Sequence, residues 1–231
     1  MTYANWKFSR QGLAEVVSSF HLDNDPGPSS HLYLQLYDAA VDGTGMYHGV
    51  QTIGLAIFSR FGTTDLAEVR PGPGAGAVAG TDEGPYVSLR MPFPLGAGSY
   101  RSSLRRTSGD REGDWFEFRL GRGAGEPETL VGAIRFPRRR RRVPATMADG
   151  GGSWTEAWDN NSGVLHPVAF WQVRLDPPVA DGGVPARGVT MRTSRMPNGR
   201  IDWDPVRRQV VSVIGGDTRR SDEGPRVVRF D

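Results

Sequence analysis

Two tryptophans and an acid lie close together in one short segment of the chain. Trp154, Glu156 and Trp158 are separated by single residues. In an extended strand, alternate side chains point to the same face, so the two indoles would flank the carboxyl group. This face suits a ligand with an apolar ring surface and polar edges, such as a sugar, and burial would raise the pKa of Glu156 for acid catalysis. Alternatively, both tryptophans belong to the core, and Asp159 with the two following asparagines forms a turn.

A second aromatic residue and acid alternate with two phenylalanines in another segment. Trp115 and Glu117 share one face of this predicted strand, and the phenylalanines share the other. We expect the phenylalanines in the core, with Trp115 and Glu117 on the concave or outer face. Glu117 and Glu156 together would form the carboxylate pair that glycoside hydrolysis uses, and Asp159 is a further candidate acid. The alternative is an ordinary exposed glutamate on a strand.

Polar side chains also interrupt the most apolar run of the sequence, residues 46–61. Tyr47 and His48 follow a glycine turn, and Gln51 lies three residues further on. Tyr47 and His48 could donate hydrogen bonds to a ligand or transfer protons, although His48 could equally be a structural residue. A buried amide needs partners, so Gln51 either anchors a neighbouring loop or faces a pocket.

A further strand pattern begins at Trp171, where Gln172 and Arg174 alternate with apolar residues. Alternation places Gln172 and Arg174 on the same face. We predict that this segment contributes Trp171 and Gln172 to the same ligand-binding cavity.

Composition limits the metal and cofactor chemistry that the chain can support. It has no cysteine and four histidines, and no two histidines have metal-ligand spacing. We therefore predict no metal and no cofactor, with a structural calcium ion as the open alternative. The oxygen-rich triplets at 23–25 and 159–161 could hold calcium, but turn formation explains both equally well. We find no phosphate-binding glycine loop and no nucleophile elbow, which disfavours nucleotide-dependent chemistry and serine hydrolysis.

Charge and hydropathy bear on partners and location. The net charge is only +2, and the five arginines 138–142 have no aromatic residues among them, so we predict a solvated loop and no nucleic-acid partner. No apolar run approaches the roughly 20 residues that span a bilayer, which predicts no membrane partner. The first residues lack the apolar core of a signal peptide. We predict a cytoplasmic protein as written, or a secreted one if a leader has been removed.

The remaining sequence predicts an all-β fold. Leu32, Leu34 and Leu36 alternate with Tyr33, Gln35 and Tyr37, the period-2 pattern of a half-buried strand. Residues 31–61 indicate neighbouring strands with a break near Gly54, residues 99–136 indicate a three-stranded meander, and residues 71–85 indicate a long surface loop. Roughly eleven short strands with glycine and proline turns favour one antiparallel β-sandwich or jelly-roll domain over residues 1–231, with a closed β-barrel as the alternative.

Two segments resemble an uncharacterised family of bacterial β-sandwich domains. Residues 45–51 with 57–62 resemble a Gly-Leu-Gln … Phe-Ser-Val-Trp block, in which Phe61 replaces the tryptophan. Residues 96–106, 115–118 and 130–137 are similar to a Gly-x-x-Tyr-x-Phe … Trp-x-x-Ile-Ala-x-Phe-x-x-Pro run, and residues 153–156 to a Ser-Phe-x-Glu segment. The resemblance covers residues 31–175. It implies a concanavalin-like sandwich and no particular activity.

Two functions are consistent with these patterns. The first is a binding protein whose aromatic-lined concave face holds a carbohydrate or another small molecule, with Trp154, Trp158, Trp115 and Gln51 among the contacts. The second is a cofactor-independent enzyme that uses Glu156, or else Glu117 or Asp159, as an acid. Such an enzyme would be a glycoside hydrolase or lyase, or a cyclase or isomerase of bacterial natural-product metabolism.

Overall fold

The computed structural model describes residues 1–123, 125–158, 168–194, 198–220 and 224–230. Two single-turn 3-10 helices occur, at Pro28–Ser30 and Leu66–Glu68, and no helix of the described residues is long and apolar enough to cross a membrane. The strands are β1 Thr2–Lys7, β2 Glu15–Leu22, β3 Leu32–Val41, β4 Thr44–Gln51, β5 Leu55–Phe61, β6 Val69–Pro71, β7 Gly76–Gly80, β8 Tyr86–Pro92, β9 Gly98–Gly109, β10 Asp114–Arg122, β11 Thr129–Phe136, β12 Gly150–Ala157, β13 Trp171–Leu175, β14 Val179–Ala180, β15 Val184–Pro185, β16 Gly188–Thr193, β17 Gly199–Asp204, β18 Gln209–Ile214 and β19 Arg226–Arg229.

The strands form two large antiparallel sheets. The nine-stranded sheet has the order β19-β16-β1-β12-β3-β4-β5-β8-β7. The ten-stranded sheet has the order β17-β18-β13-β2-β9-β10-β11-β6, with β14 and β15 attached at β2. This arrangement confirms the predicted all-β antiparallel sandwich, and neither sheet closes into a barrel. The jelly-roll and concanavalin-like assignments and the single-domain boundary stay predictions.

Alternating side chains build the core between the sheets. In β2, every second residue is buried, which places Val16, Phe20 and Leu22 inside. In β10, Phe116 and Phe118 are completely buried, as their alternation with Trp115 and Glu117 predicted. Burying side chains of this size contributes about 1.5–3 kcal/mol each relative to exposure.

Three buried hydroxyl groups connect the two sheets. Thr2 on β1, Thr155 on β12 and Ser212 on β18 contact one another at oxygen–oxygen distances of 2.6, 2.6 and 2.7 Å. Each hydroxyl group can donate one hydrogen bond and accept others, so a ring of three satisfies all of them without water. The cluster fixes the position of β12 relative to β18.

A β-bulge in β3 changes the alternation that the sequence predicted. Gln35 pairs with Gly49 of β4, whereas Tyr37 pairs with the adjacent residue, His48, so β3 contains one extra residue at this point. Leu36 and Tyr37 are both buried in the core as a result. The expectation that Tyr37 shares a face with Tyr33 and Gln35 is therefore wrong, because a bulge shifts the register that strict alternation assumes.

Two predicted loops have more structure than their composition suggests. Residues 71–85 contain β7, which pairs with β8, so the prediction of one long loop is wrong there. Its glycines and alanines have weak strand propensity, and the strand forms because β8 supplies hydrogen-bonding partners. In the arginine run, Arg138 binds the buried carboxylate of Asp114 through two hydrogen bonds of 2.8 Å, while 139–142 are exposed.

His48 is a buried polar residue on the core side of β4. Its side chain lies 4.5 Å from the ring of Phe118, between centroids, and is 1% exposed. Nδ1 has no hydrogen-bond partner among the described residues. Burial lowers the pKa of His48 from 6.5 to about 3, because the charged imidazolium would lose its hydration.

We expect His48 to make folding stability sensitive to acid. Between pH 6.5 and about 3, the unfolded chain binds a proton at His48 that the folded protein does not, so the unfolding free energy falls as the pH falls. Replacing His48→Leu should remove a loss of up to about 1.4 kcal/mol per pH unit. Urea unfolding across this range measures it, with His21→Leu on the opposite sheet as the control. Parallel pH profiles for the His48 variant and the native protein would contradict this account.

Candidate functional site

A cleft of about 580 Å³ opens on the outer face of the nine-stranded sheet. Its floor comes from β12, β3, β4 and β5, and its walls come from Trp158 and from the β7–β8 hairpin with the start of β8. We call this feature the cleft. Five of the residues predicted from sequence to form a site line it, namely Trp154, Trp158, Glu156, Tyr47 and Gln51. The shared face of Trp154, Glu156 and Trp158 agrees with the predicted alternation.

One row of the floor joins an acid to an amide across a tyrosine. Glu156 pairs with Tyr33, and Tyr33 pairs with Gln51 on its other side. Residues paired directly across antiparallel strands have Cβ atoms about 4.5–5.5 Å apart, so these three side chains are immediate neighbours. Gln51 therefore faces the cleft, which answers the question that the sequence left open for this amide.

The next row places a buried amide beside a glycine. Gln35 pairs with Trp154 on β12 and with Gly49 on β4. A Cβ atom at Gly49 would lie 2.2 Å from the carbonyl oxygen of Leu34 and 2.9 Å from the ring of Tyr33. Any larger side chain at residue 49 would therefore clash with the backbone of β3 and with Tyr33. Gln35 is 1% exposed, yet its side chain lines the cleft.

The third row contains a second carboxyl group. Asp38 pairs with Tyr47 on one side and with Gly152 on the other. Burial raises the pKa of Asp38 to about 6, because the carboxylate loses hydration and no other group is close enough to offset the loss. No salt bridge or side-chain hydrogen bond to this carboxylate exists among the described residues.

Glu156 is the acid between the two tryptophans. Burial raises its pKa, with the amino-terminal ammonium group opposing the shift and the carboxylate of Glu83 adding to it. Glu83 lies in the β7–β8 hairpin and also raises the pKa of Tyr33 and Tyr47, so it faces the cleft from the wall. A carboxyl group with a raised pKa in a cleft is a candidate for proton transfer or ligand binding.

Aromatic rings cover much of the cleft surface. Tyr47 contacts Tyr33 and Phe61, with ring centroids 6.2 and 5.7 Å apart. Trp154 contacts Tyr3 at 5.9 Å, outside the cleft on β1. These contacts fix the ring orientations, so the rings present preformed apolar faces next to polar groups.

Four residues that line the cleft each have a buried donor with no hydrogen-bond partner within the described ranges. The donors are Nε2 of Gln35, Nε1 of Trp154, Nε1 of Trp158 and the hydroxyl group of Tyr33. A buried donor without a partner costs about 1–3 kcal/mol. All four residues line the same cleft, so a ligand there would lie close to each of these donors.

Trp115 and Glu117 lie elsewhere, on the outer face of the ten-stranded sheet. The expectation that Glu117 pairs with Glu156 is therefore wrong, because the two acids belong to opposite sheets. Glu117 instead binds Arg119 at 3.2 Å. Trp115 is covered by the guanidinium group of Arg70, 3.6 Å from its ring centroid. Alternation identified the correct face of β10 but could not show which sheet contains the strand.

Three other predicted site residues are also outside the cleft. His48 is buried in the core, because it lies on the face of β4 opposite Tyr47 and Gln51. Trp171 is completely buried on the core side of β13. Gln172 is on the outer face of the ten-stranded sheet, where its amide group binds Asp23. The prediction that β13 lines the same cavity is wrong, because β13, like the strand of Trp115, belongs to the ten-stranded sheet.

The structure describes one of the two oxygen-rich triplets that the sequence offered as calcium sites. Asp159 and the triplet 159–161 lie outside the described residues. In the other triplet, Asp23 binds Arg174, and Asn24 binds the backbone of residues 170 and 172. Within the described part of the chain, no group of three or more acidic or histidine side chains is placed to hold a metal ion.

Sequence reasoning missed three polar residues on the part of the cleft floor that β3 contributes. Tyr33 and Gln35 were placed on the face opposite the leucines of β3, and that alternation was the signal that could have identified them. Asp38 could not be found in this way, because strict alternation puts it on the leucine face. The bulge at Leu36 reverses its direction.

Comparison with known proteins assigns no family to the chain. No protein-family model matches it, and no curated protein matches it. Among solved structures, it is similar to a crystal structure of Scytalido-glutamic peptidase with a peptide-based transition-state analogue. The TM-score is 0.49, the identity is 10%, and the alignment covers 93% of this chain and 97% of that chain. This likeness is too distant to carry an argument about function. The resemblance to the bacterial sandwich family stays a prediction.

We expect Asp38 to reduce the stability of the folded protein at neutral pH. Its raised pKa means that the folded state binds a proton more tightly than the unfolded chain, so stability is lost as the pH rises through about 6. Asp38→Asn should increase the unfolding free energy at pH 7 by about 1–2 kcal/mol after allowance for solvent screening, with the gain vanishing near pH 4. Denaturant unfolding at both pH values tests this, with exposed Asp217→Asn as the control. A gain that is equal at both pH values would refute it.

Proposed function

We propose that the cleft binds a saccharide or another oxygen-rich small molecule. The observation that carries this proposal is the set of unpartnered buried donors in the residues that line it, Gln35, Tyr33, Trp154 and Trp158. A ligand with hydroxyl or carbonyl oxygens would satisfy these donors once the side chains turn them toward the cleft. The cost of leaving them unpaired in the free protein then becomes a gain in binding.

The aromatic surfaces support a ligand with an apolar ring face. Trp154 and Trp158 lie on either side of Glu156 along β12 and its extension, and Tyr47 lies across the floor on β4. Indole and phenol rings contact the C–H face of a sugar ring, while carboxyl and amide groups bind its hydroxyl groups. The volume of about 580 Å³ is within the range of small-molecule sites.

The second candidate function is acid catalysis on the bound ligand, without a cofactor. It is favoured by the raised pKa of Glu156, because burial favours the protonated form of this carboxyl group. Glu156 would give its proton to the departing oxygen of the ligand and take a proton from the water molecule that adds. Gln51, in the same row, would donate an amide hydrogen to an oxygen on which negative charge develops.

Gln35 provides the sharpest test of binding. Gln35→Leu removes the amide donor with little change in volume, and we expect the affinity to fall about 5- to 10-fold, because one hydrogen bond is lost. A saccharide array identifies ligands, and calorimetry measures affinities. Gln172→Leu is the matched control, since Gln172 is on the opposite sheet. The proposal fails if no saccharide binds, or if the control variant weakens binding as much as Gln35→Leu.

Glu156 separates binding from catalysis. Glu156→Gln keeps the shape and hydrogen-bonding capacity but cannot donate a carboxylic proton. If the cleft is catalytic, this variant should still bind ligand while turnover falls by at least about 100-fold. Mass spectrometry of ligands incubated with native and variant protein detects the products. Product formation at the native rate by the variant would exclude Glu156 as the acid.

A further inference from the structure

The charges that line the cleft are strongly unequal. Four carboxyl groups line it, from Asp38, Asp82, Glu83 and Glu156, against one guanidinium group, from Arg90. A cluster of acidic residues on a surface does not by itself indicate a binding site, because hydration is usually enough to stabilise the charges. Here, however, two of the acids are partly buried on a floor that also carries the unpartnered amide of Gln35.

Arg90 does not compensate for Asp38. Its positive charge lowers the pKa of Tyr47 and Tyr86, which places it at the β5–β8 end of the cleft. No positive charge among the described residues lowers the pKa of Asp38, and burial is the cause of its raised pKa. The basic residue Lys7 is engaged elsewhere, with Asp149 at 2.7 Å.

The neighbours of Asp38 leave its carboxylate accessible to a ligand. Gly152, its partner on β12, has no side chain, and Tyr47, its partner on β4, is held against Tyr33 and Phe61. The amide of Gln35 faces the same floor. A ligand ring that contacts Tyr47 and accepts a hydrogen bond from Gln35 would therefore bring a substituent next to Asp38.

We propose that the cleft selects a saccharide with a protonated amino group, which binds the carboxylate of Asp38 while the sugar ring contacts the aromatic floor. This inference rests on the proposed saccharide-binding function and specifies its ligand class. A charge-assisted hydrogen bond from an ammonium group to a carboxylate is about twice as strong as a neutral one. The negative charges of Asp82, Glu83 and Glu156 add a field that attracts a cation and repels an anion.

A pair of oligomers that differ only in charge tests the proposal. The tetramer of glucosamine carries amino groups, and the tetramer of N-acetylglucosamine has the same rings without charge. We expect calorimetry just above the pKa of Asp38, at about pH 6.5, where the carboxylate is ionised and amines are still protonated, to show about tenfold tighter binding of the charged tetramer to the native protein. The preference should weaken as the salt concentration rises.

Asp38→Asn should remove this preference, so that the variant binds the two tetramers with affinities within about twofold of each other. The matched control is Asp217→Asn, which should keep the preference, because Asp217 is exposed and does not line the cleft. A cooperative unfolding transition confirms that each variant is folded. A preference that survives in Asp38→Asn would overturn the role of Asp38.

The remaining outcomes distinguish this inference from the function on which it rests. If the neutral tetramer binds as tightly as the charged one, the cleft binds saccharides but the inference about charge is wrong. If neither tetramer nor any neutral saccharide binds, the proposed function itself fails. Binding of tetralysine at least as tight as that of the glucosamine tetramer would show that the cleft recognises amines on a polypeptide, which also overturns the inference.

Discussion

One extra residue in β3 determines which side chains reach the cleft. The bulge at Leu36 appears in the pairing with both neighbouring strands. From Gln35 to Asp38, β3 advances by three residues, whereas β12 advances by two, from Trp154 to Gly152, and β4 also advances by two, from Gly49 to Tyr47. Before the bulge, Tyr33 and Gln35 face outward. After it, Asp38 faces outward, and Tyr37 fills the core. Without the extra residue, a tyrosine would occupy the floor and a carboxylate would be buried between the sheets, which is far more costly.

The rest of the sandwich stabilises a floor that is unfavourable by itself. The partly buried carboxyl groups of Asp38 and Glu156 and the unpartnered amide of Gln35 all cost free energy in the free protein. Opposing them are the aromatic and aliphatic core and the hydroxyl cluster that joins Thr155 to the other sheet. Polar groups kept in such positions at a cost to stability are characteristic of functional sites.

Local patterns predicted individual strands well and sheet membership poorly. Alternation placed Phe116 and Phe118 in the core and turned Trp154 and Glu156 to one face, since both results depend only on the period of an extended chain. The same rule gave Trp115 and Gln172 an outward direction, and that was also right. Their assignment to the same site as Glu156 was wrong, because β10 and β13 belong to the ten-stranded sheet. Side chains on the outer face of that sheet point away from the cleft, which is on the outer face of the nine-stranded sheet.

The sequence by itself determined the all-β class, the faces of most strands and the segment from Trp154 to Trp158 as a candidate site, because these features follow from residue type and spacing along a few neighbouring residues. Only the tertiary structure decided that Gln35, Tyr33 and Asp38 share a floor with Glu156 and that Glu117, Trp171 and Gln172 do not. Strand order and the position of a bulge depend on pairing between residues far apart in the chain, and local periodicity contains no information about either.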